Sequence, residues 1–182
     1  TAIASKKPVI SVCAVRTGVG KSSATRRIAK FFLDRKRQVS VIRHPMPYGD
    51  LEAQRVQRFG EMEDLERFEA TVEEREEYEP LIRLDLAVFA RVDYLPILHL
   101  AEAEADIVIW DGGNNDLPFI QSDLHIVLVD PHRRGHETSY HPGEANLHMA
   151  DLVIINKANS ATPELMAQVQ ASASLVIQEN VP

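Results

Sequence analysis

Two glycines, a lysine and a serine at close spacing are the residues of this sequence best suited to chemistry. Gly18, Gly20, Lys21 and Ser22 come between an apolar run and a predicted helix. Backbone N–H groups in such a turn converge on phosphate oxygens, the lysine reaches the β- and γ-phosphates, and the serine hydroxyl ligates Mg²⁺. We name residues 16–22 the phosphate turn and predict that it binds a nucleoside triphosphate. The expected nucleotide contacts are Thr17, Gly18, Val19, Gly20, Lys21, Ser22 and Ser23.

The phosphate turn departs from the full pattern GxxxxGK[ST] at its first position, where the chain has Val15. Arg16, five residues before Lys21, resembles a signature lysine found in one branch of P-loop proteins, which includes MinD, dethiobiotin synthetase and the metallochaperone GTPases. In that position Arg16 would stabilise charge that develops on the γ-phosphate. The alternative is an ordinary solvated loop arginine.

A carboxylate follows the most apolar of the predicted strands. Residues 107–110 are Ile-Val-Ile-Trp, and Asp111, Gly112 and Gly113 come next. This pattern is typical of a Walker B strand, in which the carboxylate holds Mg²⁺ or its water. We predict Ser22 and Asp111 as the metal ligands, and Arg16, Lys21 and Asp111 as the catalytic residues.

Residues 156–159, Asn-Lys-Ala-Asn, follow another buried strand and resemble the NKxD motif with which GTPases read the base. Asn156 is expected to brace the phosphate turn, and Lys157 to pack its stem over a purine. Asn159 replaces the aspartate, and a neutral amide cannot offer two acceptors to both guanine donors. The motif therefore predicts nucleotide contacts from Asn156, Lys157 and Asn159 without strict guanine selectivity. An ordinary polar loop is the alternative.

Two basic loops follow other predicted strands. Arg43 and His44 come after the second strand, and residues 132–136, His-Arg-Arg-Gly-His, come after the strand that ends near Asp130. Cationic side chains suit a polyanionic second substrate, because arginine offers phosphate a bidentate fork. Solvated loops rank second. A metal site formed by His132, His136, His141 and His148 ranks third, since their spacing is irregular and no cysteine accompanies them.

The elements that position these residues alternate between strand-like and helix-like segments, which predicts an α/β fold with a mostly parallel central sheet and helices on both faces. Ligands bind beyond the carboxyl ends of strands in such sheets. The predicted strands are 9–14, 39–43, 86–89, 107–110, 124–129, 152–155 and 175–177. The predicted helices are 21–35, 51–59, 71–84, 94–105 and 163–172.

Length and composition limit the function classes. A chain of 182 residues with 45% hydrophobic residues suits one domain, 1–182, and the opening Thr1 suggests a piece cut from a longer chain. The net charge of −7 argues against broad nucleic-acid binding. No apolar run is long enough to span a bilayer. A single cysteine and no visible export signal predict a cytoplasmic protein.

Four motifs together closely resemble the P-loop NTPase domain of the cyclic 2,3-diphosphoglycerate synthetase family. They are residues 16–22, residues 43–54, residues 111–116, and residues 130–136 with 141–144. The resemblance implies ATP- and Mg²⁺-dependent phosphoryl transfer that closes a phosphorylated small acid into a cyclic phosphoanhydride, with release of ADP and phosphate. It also implies that the acid is bound by Arg43, His44, Asp50, His132, Arg133 and His136.

Two other function classes stay open from the sequence. A regulatory or metal-delivery GTPase would use hydrolysis to switch the binding of a partner, with the histidines carrying a metal. A third possibility is a chain that binds nucleotide without turning it over. Between the ATP-dependent synthetase and the GTPase, Asn159 favours the synthetase, because it favours ATP over GTP. Whether the protein forms a homo-oligomer is open.

Overall fold

The computed structural model describes residues 2–44, 57–90, 93–113 and 116–177. Most of its strands are apolar runs rich in β-branched residues, except β3, which is Gln-Arg-Phe: β1, for example, has the sequence VISVCA and is buried along its whole length. Strands buried on both faces are typical of parallel sheets covered by helices. The seven strands are β1 Val9–Ala14, β2 Val39–Arg43, β3 Gln57–Phe59, β4 Ala87–Ala90, β5 Ile107–Asp111, β6 Leu124–Val129 and β7 Leu152–Ile155.

One sheet contains these strands in the order β3-β4-β2-β5-β1-β6-β7. Parallel pairing joins β2 to both β4 and β5, and β6 to both β1 and β7, whereas β3 runs antiparallel to β4. The mostly parallel α/β architecture predicted from the sequence is therefore confirmed. The helices are α1 Lys21–Leu33, α2 Met62–Arg67, α3 Val72–Ile82, α4 Tyr94–Glu104, α5 His136–Ser139, α6 His141–His148 and α7 Pro163–Ser174.

The chain divides into two compact units, and each is discontinuous in sequence. Unit 1 comprises residues 1–9, 25–111 and 119–121, and unit 2 comprises residues 10–24, 112–118 and 122–182. Unit 2 contains the phosphate turn, β6, β7 and the helices α5 to α7. Unit 1 contains β2 to β5, most of α1 and the acidic helices α2 and α3.

Helix α3 shows why a helix of this chain begins where it does. Thr71 accepts a hydrogen bond from the Glu74 backbone N–H at 3.2 Å, and the Glu74 carboxylate accepts one from the Thr71 backbone N–H at 2.9 Å. This reciprocal capping box satisfies two N–H groups that the first helical turn would otherwise leave unpaired. The predicted start of the acidic helix at Thr71 is confirmed.

Two predicted elements were wrong. A helix over 51–59 was expected, but Gln57–Phe59 is a strand that pairs with β4; residues 51–56 lie outside the described residues. A last strand over 175–177 was also expected, but the N–H groups of Val176 and Ile177 both bond to the Ala173 carbonyl, as in a helix end. Leu175 is 85% exposed, which a buried strand would not allow.

Within the described residues, no helix combines the length and apolar character needed to cross a membrane.

Candidate functional site

The phosphate turn follows β1 directly and ends in the first turn of α1, as the sequence predicts. Gly18 and Gly20 have φ angles of +76° and +106°, in the left-handed region that favours glycine. Gly20 also lacks space for a side chain, because a Cβ there would overlap the amide nitrogen of Asn156. Lys21 and Ser22 are the first two residues of α1, and both are half-buried. The backbone thus has the geometry of an anion-binding turn at a helix N-terminus.

Val15, the departure from the glycine pattern, is accommodated by a glycine elsewhere. Val15 is 2% exposed and packs against α6 at Gly143. A Cβ on Gly143 would lie 2.9 Å from the Val15 Cα and would overlap its carbonyl oxygen. The close approach that a glycine at position 15 would permit is therefore provided by Gly143, and α6 lies directly against the start of the phosphate turn.

Arg16 is held by the segment that carries α5 and α6. Its Nη1 donates to His136 Nδ1 at 3.0 Å and to the Tyr140 hydroxyl at 3.2 Å, and its guanidinium carbon lies 5.1 Å from the centre of the Tyr140 ring. Guanidinium nitrogens only donate, so Arg16 is the donor in these hydrogen bonds. His136, predicted as a substrate ligand, is thus a neighbour of Arg16.

The loop after β7 supports the phosphate turn from its other side. Asn156 Nδ2 donates to the Val19 carbonyl at 2.7 Å, and Lys157 Nζ donates to the Gly18 carbonyl at 2.7 Å. Asn156 has the geometry expected of a brace for the turn. Lys157 directs its ammonium group to the turn, and the predicted packing of its stem over a purine stays a prediction. Asn159 is exposed in a short 3₁₀ helix.

Arg133 lies against the phosphate turn, whereas its neighbour Arg134 does not. A Cβ on Gly18 would be 3.1 Å from Arg133 Nη2, so the guanidinium group is at the surface of the turn. Arg134 Nη1 donates to Gln168 Oε1 on α7 at 2.6 Å. His132 is exposed, and its Nε2 is 2.9 Å from the Ser160 hydroxyl. Arg133 therefore lies beside the phosphate turn, and its predicted contact with a second substrate stays a prediction.

Asp130, at the end of β6, links these basic residues. It is 1% exposed, and its carboxylate accepts from Lys157 Nζ at 2.6 Å and from the His132 backbone N–H at 3.0 Å. Burial alone would raise the pKa of Asp130, but these hydrogen bonds and the Lys157 charge outweigh it and hold the pKa below its usual value. The carboxylate is therefore ionised wherever the protein is folded near neutral pH.

In unit 1, Asp111 and Arg43 form a buried ion pair. The two residues are partners in the register of β5 and β2, and Arg43 Nη1 lies 2.5 Å from Asp111 Oδ2 and 2.7 Å from Glu77 Oε2. Thr25 Oγ1 donates to Asp111 Oδ1 at 3.2 Å. Burial lowers the pKa of Arg43, but the carboxylates of Asp111 and Glu77 more than compensate and raise it.

This ion pair corrects the expectation that Arg43 is an exposed cation for an anionic substrate. Arg43 is 9% exposed, and its charge is neutralised by the two carboxylates. His44, the next residue, is exposed, and its Nδ1 lies 2.5 Å from the Tyr94 hydroxyl. Asp50 lies outside the described residues. His44 therefore remains the accessible member of the first basic loop.

The described part of the chain holds no group of three or more His, Cys, Asp or Glu residues arranged to bind a metal ion. His132 and His136 instead contact Ser160 and Arg16.

Comparisons with solved structures identify the architecture. LpxK from Aquifex aeolicus, in complex with ATP, superposes with a TM-score of 0.64 at 18% identity over 87% of this chain and 51% of its own. A ParA family ATPase from Chlorobium tepidum superposes with a TM-score of 0.50 at 13% identity over 92% of this chain and 81% of its own. The chain has the P-loop NTPase fold.

A curated relative extends the comparison to sequence. Arginine synthetase ArcE from Thermococcus kodakarensis is 54% identical over 176 residues. The match covers 97% of this P-loop chain and 39% of the relative, so the chain spans well under half of that protein's length. No known family model matches the chain.

Sequence reasoning missed several residues of this P-loop site. Asp130 carried the same signal as Asp111, a carboxylate at the end of a buried strand, and could have been found by the same rule. Tyr140 carried no such signal and Gly143 was noted only as part of the motif 141–144, because helices α5 and α6 were not predicted and only the fold brings these residues to the phosphate turn. Glu77 was one of many carboxylates in an acidic helix and had nothing to distinguish it.

Proposed function

We propose that this chain is the ATP-binding domain of an ATP- and Mg²⁺-dependent synthetase. One observation carries the proposal: the phosphate turn, with two left-handed glycines, opens α1 and is flanked in the same unit by Arg16, Arg133 and Lys157. Three cations around an anion-binding turn suit a group that carries several negative charges. A triphosphate is such a group, and its γ-phosphoryl group is the one transferred.

ATP is the nucleotide that we propose. Asn159 offers one carbonyl oxygen where a guanine-specific loop needs a carboxylate. The solved relative LpxK in complex with ATP and the ParA family ATPase support the same choice. Lys21 would contact the β- and γ-phosphates, and Arg16 would stabilise the charge that develops during transfer.

Mg²⁺ suits the oxygen donors that the chain offers. Protein sites for this ion commonly supply one or two oxygen ligands and leave the others to phosphates and water. The Ser22 hydroxyl and the Asp111 carboxylate are the proposed donors. A carboxylate has about four lone-pair sites, so contacts with Thr25 and Arg43 do not by themselves prevent Asp111 from holding a metal-bound water. The ion would neutralise phosphate charge during transfer.

The proposed acceptor of the γ-phosphoryl group is an oxygen atom of a small molecule. Once phosphorylated, this oxygen leaves together with the phosphate. The motif resemblance favours 2,3-diphosphoglycerate, in which one activated phosphate is attacked by the other to give a cyclic phosphoanhydride. The 54% identity to an arginine synthetase favours a second candidate, a reaction that forms arginine. There the same transfer would activate an oxygen on the carbon that becomes the guanidino carbon, and a nitrogen would displace phosphate.

Two assays of the full-length protein discriminate between these acceptors. The first assay measures phosphate release from Mg²⁺–ATP with and without 2,3-diphosphoglycerate. The second runs the proposed arginine-forming reaction in reverse and measures ATP formation from ADP and phosphate with and without arginine. Stimulation by the diphosphoglycerate, or ATP formation that depends on arginine, would identify the acceptor class. A protein that hydrolyses GTP in strong preference to ATP, with neither acceptor having an effect, would favour the regulatory GTPase and contradict the proposal.

A further inference from the structure

A single buried carboxylate in unit 2 contacts two cations that both lie against Gly18 of the phosphate turn. The side chain of Asp130 is 0% exposed, and its Oδ2 lies 2.6 Å from Lys157 Nζ and 3.8 Å from Arg133 Nε. Lys157 Nζ also donates to the Gly18 carbonyl at 2.7 Å, and Arg133 Nη2 is 3.1 Å from where a Gly18 Cβ would be. Asp130, Lys157, Arg133 and Gly18 therefore form one connected group, which we name the Asp130 anchor.

The Asp130 carboxylate is fixed more firmly than the cations that it contacts. Its Oδ1 accepts from the His132 backbone N–H, so that it caps the short 3₁₀ helix Pro131–Arg133, which carries Arg133. The side chains of Lys157 and Arg133 are 36% and 37% exposed, and long exposed side chains sample many rotamers unless a partner holds them. A fully buried anion at the end of a central strand is such a partner.

We infer that Asp130 is a positioning residue for nucleotide binding, which holds Lys157 and Arg133 against the phosphate turn. The inference rests on the proposed function, because the bound group is the triphosphate. Charge alone predicts the opposite effect: removing an anion next to a phosphate site would strengthen the binding of phosphate. The two accounts therefore differ in the sign of the change in ATP affinity when Asp130 is neutralised.

The test uses the full chain with Asp130→Asn and a matched control, Asp151→Asn. Asp151 is also in unit 2, and its Oδ2 accepts a backbone N–H, that of His125, at 2.7 Å. Both variants remove one negative charge and leave a carbonyl oxygen that can still accept the backbone N–H, but only Asp130 contacts the cations of the turn. We expect Asp130→Asn to weaken Mg²⁺–ATP binding at least tenfold, and Asp151→Asn to leave it within about twofold.

A double-mutant cycle tests whether Asp130 acts through Lys157. Lys157→Met should weaken ATP binding as well, and the double variant should be little weaker than the worse of the two single variants, because both substitutions break one contact. Additive losses would overturn the role of Lys157 in the anchor. Unchanged or tighter ATP binding by a folded Asp130→Asn variant would overturn the inference as a whole.

A second measurement does not depend on nucleotide. The amine of Lys157, paired with Asp130 and bonded to Gly18, should react with an amine-specific reagent several-fold more slowly than the exposed Lys36, as measured by mass spectrometry. Asp130→Asn should remove this protection, and Asp151→Asn should keep it. If the wild-type chain binds no ATP but Lys157 is protected, the proposed function fails while the anchor stands. Equal labelling of Lys157 and Lys36 in the wild type would overturn the anchor even if Asp130→Asn does not fold.

Discussion

Arg133 and Arg134 are adjacent in the chain and carry the same charge, but their guanidinium groups have different neighbours. Arg133 lies against Gly18 of the phosphate turn, and Arg134 bonds to Gln168 on α7. We expect Arg133→Ala to weaken ATP binding roughly tenfold to a hundredfold, which is the contribution of one charge-assisted hydrogen bond. Isothermal titration with Mg²⁺–ATP measures the change.

Arg134→Ala is the matched control for this prediction, since it removes the same charge from a neighbouring residue that bonds to Gln168 on α7. It should leave ATP affinity almost unchanged. Equal losses in the two variants would mean that the net charge of the loop matters and that the position of Arg133 does not.

Arg43 shows how burial changes the meaning of a residue that the sequence marks as basic. Its ion pairs with Asp111 and Glu77 are almost fully buried on the arginine side. Breaking a buried pair leaves an uncompensated charge and costs about 3–5 kcal/mol. We therefore expect Arg43→Met to lower the free energy of unfolding by about that amount, as measured by urea denaturation.

The comparison variant for Arg43 is Arg83→Met. Arg83 contacts Glu79 at 3.5 Å on an exposed helix surface, and such pairs contribute about 0–1 kcal/mol. If both variants lost the same stability, the buried ion pairs of Arg43 would contribute no more than an exposed pair, which would contradict the prediction.

The sequence indicated which residues belong to the candidate site better than it indicated which residues they contact. Gly18, Gly20, Lys21 and Asn156 could be predicted because backbone geometry and local motifs determine what they do. The partners of Arg43 and Arg133 could not, since a sequence shows that a loop is basic but not which carboxylate or backbone group each cation will meet.

At the scale of elements, α6 and the start of the phosphate turn form one close contact. Gly143 on α6 meets Val15 where a Cβ would overlap the backbone. Replacing a helical glycine by alanine normally stabilises a helix by about 1 kcal/mol. Here we expect Gly143→Ala to destabilise the protein by about 1–3 kcal/mol, since overpacking forces the backbone to shift.

Thermal unfolding of Gly143→Ala checks this prediction, because the direction of the change in Tm is enough to decide it. A rise in Tm would show that α6 can move away from Val15 without cost. ATP affinity should fall in the same variant, because the shift begins at the residue that leads into the phosphate turn.

Strands with long, continuous apolar runs could be predicted from the sequence, and a short strand could not. Strands β1, β2, β6 and β7 have the predicted bounds, because continuous apolar runs bounded by polar residues leave few alternatives. Strand β3 is three residues long and exists only by pairing with β4. A run of that length has no periodicity to detect, so its strand character could not be read from local sequence.

At the scale of the whole molecule, the acid stability of the fold depends in part on Asp130. Its pKa is lower in the folded protein than its ordinary value near 3.9, so its contribution to stability is complete well above that value and is lost as the pH falls through the folded pKa. We expect the stability difference between the wild type and Asp130→Asn to be largest at neutral pH and to shrink below about pH 4. Urea denaturation at several pH values measures it, and a constant difference down to pH 3 would contradict the prediction.

The length of the chain limits which parts of the proposed reaction can be tested on it. It spans 39% of the arginine synthetase ArcE, so an acceptor site can require residues beyond this domain. The proposed nucleotide binding rests on the phosphate turn, which lies within this chain, and it is therefore the property to measure first.

The most direct test compares ATP and GTP binding by the wild type and by Lys21→Ala, by isothermal titration with Mg²⁺ present. The account predicts that the wild type binds ATP at least as tightly as GTP, and that Lys21→Ala loses tight binding of both while remaining folded. Unchanged ATP affinity in Lys21→Ala would contradict the assignment of the phosphate turn, and a strong preference of the wild type for GTP would contradict the proposed synthetase.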